Sequence, residues 1–305
     1  MQIDEFCDAT RSWLAEGRHE NVSGHQLFVH DRGLVTAANA AGESPTVLLL
    51  HGFPTSCYDW RGVVDRLAMC FRVIAPDLLG FGLSDKPAAY SYSLFQQADN
   101  VEALLARLKV RVVHVVSHDL GTSVHSELLA RQAEGRLTVE LQSSTFLNGS
   151  MLQWLAKITP FQELLAANAT LPQAIEVCRT RFSEAYVPGL QKLMRRPETI
   201  TPVDAQVMND LLRYQDGHLR LPAIAGYMRE RYVHADRWLG AIETAPTRVQ
   251  FVWADGDPIA HVEMGRELAR RCPQATYHEL TGSGHFLPME DPSAVAERIK
   301  AFVCP

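Results

Sequence analysis

The sequence predicts an α/β fold with a mostly parallel central sheet flanked by helices and an inserted helical cap. Short apolar runs such as "TVLLL" alternate with helical patterns, and this alternation implies right-handed crossovers between parallel strands. The runs are apolar on both faces, which is typical of strands covered by helices on both sides. The alternation stops between Ser150 and Gly240, where the pattern indicates helices and loops only.

The elements follow from hydrophobic periodicity. A helix near the start places Phe6, Trp13 and Leu14 on one apolar side. Strands are predicted near Val22 to His30, near Leu34 to Ala38, in "TVLLL", in "FRVIAPD", in "VRVVHVVSHD", in "LTVELQSSTFLNG" and in "TRVQFVWADGD". Helices are predicted over Leu94 to Leu108, Gly121 to Ala133, Met264 to Cys272 and Ala294 to Phe302.

This pattern divides the chain into a core and a cap. The core is predicted to comprise residues 1–149 and 241–305, and the cap residues 150–240. The cap collects basic residues, six of which we single out and interpret as part of a solvated helical surface. They are Arg179, Arg181, Arg195, Arg196, Arg229 and Arg231.

Composition excludes several classes of protein. The 305-residue chain has a formal net charge of −6, whereas nucleic-acid binders normally carry a basic surplus. The amino terminus lacks the pattern of a signal peptide, and no apolar run is long enough to span a membrane. Six scattered cysteines match no metal-binding spacing and are typical of free thiols in a reducing compartment. We therefore expect a cytoplasmic protein without a metal or cofactor, without nucleic-acid or membrane partners, and of undetermined oligomeric state.

The stretch "VVSHDLGTSV" resembles a strand-turn-helix elbow that carries a nucleophile. Such a turn requires small residues two positions before, two after and three after the nucleophile. Ser117 and Ser123 fail this requirement as the tip, because bulky residues would occupy flanking positions. Asp119 meets it, with Ser117, Gly121 and Thr122 in those positions. The pattern therefore predicts a carboxylate nucleophile, with a helix-capping aspartate as the alternative.

Two further segments supply an acid and a histidine in the order that such a site requires. "WADGDP" places Asp255 and Asp257 after a strand, and Asp257 is favoured because it lies in the turn before a proline. "TGSGHFLP" places His285 in a glycine-rich loop. Asn148 ends the preceding core strand and cannot supply a carboxylate.

Five motifs together resemble the α/β-hydrolase superfamily, in its epoxide hydrolase and haloalkane dehalogenase branch. They are "HGFPTSCYDW", "APDLLGFGLSDKP", "SHDLGT", "DGDP" and "GSGHFLPMEDP". More closely, the chain resembles the mesoderm-specific transcript homologues, with a likeness that extends through the cap run "RYQDGHLRLPAIAGYMRERYVHADRWLGAI". The resemblance implies an α/β-hydrolase fold and an aspartate-nucleophile hydrolase of the epoxide-hydrolase-like kind, and our leading interpretation is that it acts on a hydrophobic small molecule.

In such an enzyme the Asp119 carboxylate forms an ester with the substrate. Water activated by His285, which Asp257 orients, then cleaves that ester. The backbone N–H groups of Phe53 and Leu120 are the expected oxyanion donors. His51 is expected to pack under this loop and hold its shape.

The leaving group distinguishes the two chemistries of the branch. Dehalogenases of this branch typically carry Asn and Trp where this chain has Phe53 and Leu120, so the resemblance disfavours the usual halide site. Family epoxide hydrolases donate a proton from cap tyrosines, and the family's tyrosine segment aligns best with Tyr227, with Tyr186 as second choice. The leading interpretation is therefore an epoxide hydrolase, although Leu120 also replaces a Trp that these enzymes usually have.

Trp154 and Phe286 are predicted to contact the substrate. Trp154 belongs to an apolar stripe with Leu155, Ile158 and Phe161 that can face either the pocket or the core. Two alternatives remain open. One is a dehalogenase whose halide site uses cap residues such as Trp154 or His218, and the other is a non-catalytic binding protein, which the intact Asp119, Asp257 and His285 set disfavours.

Overall fold

The computed structural model describes residues 1–33 and 45–304. The strands are β1 Arg18–Val22, β2 His25–Arg32, β3 Thr46–Leu50, β4 Arg72–Pro76, β5 Val112–His118, β6 Glu140–Leu147, β7 Arg248–Ala254 and β8 Thr276–Leu280. The helices are α1 Asp8–Glu16, α2 Arg61–Leu67, α3 Leu94–Arg107, α4 Leu120–Ala133, α5 Pro160–Ala166, α6 Leu171–Thr180, α7 Phe182–Gln191, α8 Pro202–Arg213, α9 Leu221–Ile224, α10 Tyr227–Val233, α11 Ala235–Glu243, α12 Val262–Arg271, α13 Leu287–Glu290 and α14 Pro292–Val303.

The eight strands form one sheet in the order β1-β2-β4-β3-β5-β6-β7-β8. β1, β2 and β4 pair in antiparallel fashion, and every pair from β4–β3 to β7–β8 is parallel. Central strands such as β3 are buried on both faces, which explains their continuous apolar runs. The predicted fold class is confirmed, and the carboxyl ends of β3, β5, β6 and β7 lie side by side at one edge of the sheet.

One strand prediction is wrong in part, and another falls outside the described residues. The single strand expected near Val22 to His30 is a hairpin, because Ser23 and Gly24 adopt positive φ angles of 54° and 87° and reverse the chain. The strand expected near Leu34 to Ala38 lies outside the described residues. β8 was not predicted, since its sequence "TYHEL" is short and polar, as suits the edge of a sheet.

Between β6 and β7, the chain consists only of helices and loops. The predicted cap boundary at Gly240 falls inside α11, which packs on α4. Trp238 Nε1 donates to Glu127 Oε2 at 2.8 Å, and Arg237 pairs with the same carboxylate. These contacts attach α11 to the core rather than to the other inserted helices.

None of the helices in residues 1–33 and 45–304 is long and apolar enough to cross a lipid bilayer.

Candidate active site

Asp119 lies at a sharp turn between β5 and α4. Its φ of 47° and ψ of −112° are strained for a residue with a side chain, and such strain is typical of functional sites. The turn leaves little room, because a Cβ added to Gly121 would lie 2.6 Å from the Leu50 carbonyl oxygen. A Cβ on Gly52 would lie 2.7 Å from the Asp119 Cβ. Small residues at these positions therefore allow the elbow to form.

The Asp119 side chain has one tethered and one untethered oxygen. The Phe53 N–H donates to Oδ1 at 2.7 Å, whereas Oδ2 lies 3.8 Å from His285 Nε2. Asp119 makes no side-chain cap of α4, so the helix-cap interpretation is not supported. The geometry leaves Oδ2 available as a nucleophile.

His285 is held by Asp257. Its Nδ1 donates to Asp257 Oδ2 at 2.8 Å, and both side chains are buried. Burial alone would lower the pKa of His285, but Asp257 and then Asp119 raise it to about 9. The pair therefore orients Nε2 toward Asp119.

Three further donors hold the Asp257 carboxylate. Asn148 Nδ2 donates to Oδ2 at 2.6 Å, and the backbone N–H groups of Ile259 and Ala260 donate to Oδ1. Burial by itself would raise the pKa of Asp257, but His285, Asn148 and these donors lower it below its ordinary value. Asp255 instead accepts the Gly282 N–H, as a turn-forming residue does.

The loop that carries His285 is fixed on both sides. The His285 N–H donates to the Leu193 carbonyl at 2.9 Å, and its own carbonyl accepts from His118 Nε2 at 2.8 Å. Burial lowers the pKa of His118 to about 4, so this ring is neutral and its Nε2 carries the proton. The Glu290 carboxylate accepts the Gly284 N–H, which fixes the residue that precedes His285.

One of the two expected oxyanion donors already contacts Asp119, and the other is the first N–H of α4. The Phe53 N–H already contacts Asp119 Oδ1, and Leu120 begins α4, where its N–H has no acceptor within the helix. His51 supports the Phe53 loop, because its Nε2 accepts the Leu78 N–H and its Nδ1 donates to the Gly52 carbonyl. The position of His51 agrees with a role in holding the shape of this loop.

Two cavities border the candidate catalytic residues, one at His285 and the other at Asp119. The larger one, about 540 Å³, is mostly apolar and contacts Phe53, Phe161, Tyr186, His285 and Phe286. The smaller one, about 10 Å³, is bounded by residues that include Asp119 and Tyr227. A hydrophobic small molecule can therefore approach the reacting groups from the larger cavity.

Both predicted tyrosines lie next to these cavities. Tyr227 packs against Phe53, with ring centroids 5.6 Å apart, and Tyr186 donates to the Pro54 carbonyl at 3.2 Å. Burial raises the pKa of each phenol well above its ordinary value, with Asp119 adding to the effect at Tyr227 and Asp59 at Tyr186. Both side chains are therefore neutral O–H donors at neutral pH.

Of the two residues predicted to contact the substrate, Phe286 borders the larger cavity and Trp154 borders neither cavity. Phe286 is buried beside His285, with ring centroids 4.9 Å apart, and it contacts the larger cavity. Trp154 is 62% exposed and packs under the Arg271 guanidinium, away from both cavities. Of the apolar stripe, Phe161 contacts the larger cavity and Ile158 contacts the smaller one.

The remaining candidates do not approach the reacting atoms. Ser117 Oγ pairs with His125 Nδ1 inside the core, and Ser123 Oγ accepts a hydrogen bond from Arg231. His218 lies in the turn between α8 and α9 and contacts neither cavity. The alternative halide site that uses Trp154 or His218 is therefore not formed, because neither residue contacts either cavity.

Arg231 is the residue that sequence reasoning placed wrongly. It was grouped with solvated arginines, but it is buried beside Asp119 and also contacts the smaller cavity. Arg229, on the same helix, is exposed as expected, and its guanidinium donates to Asn168 Oδ1. Charge alone does not distinguish the two, although the two-residue spacing places them on different sides of α10.

The fold and these groups together define a hydrolase of the α/β class. The model of the alpha/beta hydrolase family matches residues 47–298, and the chain belongs to this family. LipZ of Mycobacterium tuberculosis, which is named as a hydrolase, is 38% identical over 290 residues that cover 95% of this chain and 96% of LipZ. The mesoderm-specific transcript protein of Mus musculus is 32% identical over 98% of this chain and 89% of its own length.

Solved structures show the same architecture. Cfl2 from Burkholderia cenocepacia superposes with a TM-score of 0.78 at 27% identity, covering 94% of this chain and 95% of Cfl2. The epoxide hydrolase CorEH superposes with a TM-score of 0.72 at 19% identity, covering 95% of this chain and 98% of CorEH. At that identity the likeness to CorEH shows the fold alone.

Proposed function

We propose that this hydrolase opens an epoxide of a hydrophobic small molecule to a diol through an ester on Asp119. The observation that carries the proposal is the pairing of an untethered Asp119 Oδ2 with His285 Nε2 at 3.8 Å, while Phe53 holds Oδ1. A carboxylate attacks an sp³ carbon, and the resulting ester requires a second step by water. The helical segment 150–240 is proposed to act as the cap over this site.

The first step forms a bond from Asp119 Oδ2 to an epoxide carbon and breaks the carbon–oxygen bond of the ring. The electron pair passes to the ring oxygen, which takes a proton from a neutral tyrosine. Tyr227 is proposed as the main acid, since it shares the smaller cavity with Asp119. Tyr186 contacts the larger cavity and is proposed to assist in binding the epoxide oxygen.

In the second step, His285 takes a proton from water, and the hydroxide attacks the Asp119 ester carbon. The developing oxyanion at Oδ1 is stabilised by the Phe53 N–H, with Leu120 as a further donor. Ester formation removes the negative charge of Asp119, which lowers the pKa of His285 at the stage when this residue has to act as a base. Collapse of the tetrahedral intermediate breaks the bond from the Asp119 carbon to the substrate oxygen. That oxygen takes the remaining proton of the added hydroxide, so the diol is released and the carboxylate is restored.

A dehalogenase is the alternative that deserves a direct comparison. Among the residues that the structure describes, no Asn or Trp side chain borders either cavity, and Gln162 is the one side-chain amide that contacts both. A single amide offers weaker halide binding than a pair of side-chain N–H donors. The epoxide reaction is therefore favoured, because tyrosine O–H donors are present and the Asn and Trp donors of the usual halide site are not.

A substrate panel tests the proposal. Styrene oxide, trans-stilbene oxide and 1,2-epoxyoctane are incubated with the enzyme and scored for diol, and 1-bromobutane and 1-chlorohexane are scored for halide. Diol formation that is lost in Asp119→Asn supports an epoxide hydrolase. Halide release without diol formation would assign the site to dehalogenation instead.

A further inference from the structure

Arg231 presents a buried cation that the proposed reaction does not yet use. The side chain is 4% exposed and extends from α10 toward the turn before α4. It donates from Nε to Ser123 Oγ at 2.6 Å, from Nη1 to the Ser150 carbonyl at 3.0 Å, and from Nη2 to the Asp119 carbonyl at 3.2 Å. All three acceptors are neutral oxygens.

No carboxylate pairs with this guanidinium within 4 Å in the part of the chain that the structure describes. A buried charge without an ionic partner costs about several kcal/mol, so stability alone does not favour an arginine at this position. Asp119 is the one carboxylate among the described residues around the smaller cavity, and the other titratable groups there are Lys157, Tyr227, Arg231 and Tyr232. The positive charge therefore faces the reacting groups.

The guanidinium also lies against the proposed acid. Its Cζ is 4.9 Å from the centroid of the Tyr227 ring, which is close enough for a cation–π contact. When the epoxide opens, Asp119 loses its negative charge, and Tyr227 becomes a phenolate after giving up its proton. The negative charge then lies on the ring beside Arg231, where opposite charges attract strongly because both groups are buried.

We propose that Arg231 is a positioning residue of the site, which fixes the strained Asp119 turn to the inserted helices and stabilises the Tyr227 phenolate formed during ring opening. The inference rests on the proposed function for its second part. The proton that His285 takes from water later restores the neutral tyrosine by way of solvent. The overall change remains epoxide plus water to diol.

Kinetics of single turnovers test the catalytic part. Arg231→Met removes the charge, Arg231→Lys retains it without the planar fork, and Arg229→Met is the matched control on the same helix. With styrene oxide and enzyme in excess, Arg231→Met should slow formation of the Asp119 ester at least about tenfold and slow its hydrolysis much less. Arg231→Lys should recover part of the loss, and Arg229→Met should match the wild type.

A spectroscopic titration tests the electrostatic part without any turnover. Tyr227 is replaced by 3,5-difluorotyrosine, whose phenol ionises at lower pH, and its absorbance is followed in the wild-type and Arg231→Met backgrounds. The missing cation should raise the midpoint by about one pH unit or more, because a nearby cation favours the phenolate. The same titration in the Arg229→Met background should give the wild-type midpoint for the residue at position 227.

The two experiments separate the possible failures. An unchanged midpoint in folded Arg231→Met protein, or equal slowing of both steps, would overturn the proposal and leave Arg231 a purely structural residue. A raised midpoint together with absent epoxide turnover by the wild type would support the electrostatic pairing and overturn the epoxide assignment. Thermal unfolding of each variant verifies that the compared proteins are folded.

Discussion

His285 Nδ1 lies 2.8 Å from Asp257 Oδ2, and this buried pair directs the other ring nitrogen toward Asp119. The same pairing favours the protonated form of His285 in the resting site, since Asp257 and Asp119 both raise its pKa against the effect of burial. A histidine in this state has to lose its proton before it can activate water. In the proposed reaction, loss of the negative charge on Asp119 is what releases His285 to act as a base in the second step.

Asp119→Asn should lower the pKa of His285 below about 9. The substitution removes a negative charge that favours the imidazolium, so the neutral form gains and the pKa falls. Titration of the His285 ring resonances by NMR measures the shift. His278, on the distant edge strand β8, serves as the internal control, and an unchanged His285 resonance would refute the coupling to Asp119.

His285→Gln should allow the first step and block the second. Glutamine cannot take a proton from water, so the ester on Asp119 should accumulate. Mass spectrometry of the peptide containing Asp119, after incubation with an epoxide that the wild type turns over, detects the added substrate mass. Failure to find the adduct in folded protein would count against a covalent intermediate.

Asp257→Asn should reduce turnover by at least about 100-fold, whereas Asp255→Asn should have little effect. The first change removes the acceptor that orients His285, and the second alters a turn contact with the Gly282 N–H. Steady-state kinetics of the two variants provide the comparison. Equal losses in both variants would mean that the position of the turn, rather than the acid, determines activity.

Tyr227→Phe should slow ring opening by about 100-fold, because the phenol supplies the proton for the leaving oxygen. Tyr186→Phe should have a smaller effect, since its hydroxyl is engaged with the Pro54 carbonyl. Tyr277→Phe, on β8, is the control. Single-turnover rates of ester formation distinguish the three, and a larger loss at Tyr186 would exchange the two proposed roles.

Much of this site could be predicted because its local constraints appear in the sequence. The elbow needs small residues at fixed distances, and only Asp119 satisfies that rule. Asp257 was favoured over Asp255 from turn position, and the structure brings Asp257 to His285. These features depend on residues close together in the chain.

The features that were missed depend on distant parts of the chain. Arg231 is indistinguishable by charge from exposed Arg229, and its burial follows from how α10 packs against the turn before α4. Trp154 belongs to an apolar stripe by spacing, but the segment is not one continuous helix, so the ring points to the surface. The prediction that Trp154 contacts the substrate assumed one continuous helix, and that helix is interrupted before α5.

Oxygen labelling tests the central claim most directly. The enzyme is allowed many turnovers of an accepted epoxide in ¹⁸O-water, and the peptide containing Asp119 is then analysed by mass spectrometry. If Asp119 is the nucleophile, water cleaves its ester at the carbonyl carbon, so ¹⁸O should accumulate in the Asp119 carboxylate, and the first product from excess enzyme should carry unlabelled oxygen. An unlabelled Asp119 together with labelled diol from the first turnover would contradict the account and show that water attacks the substrate directly.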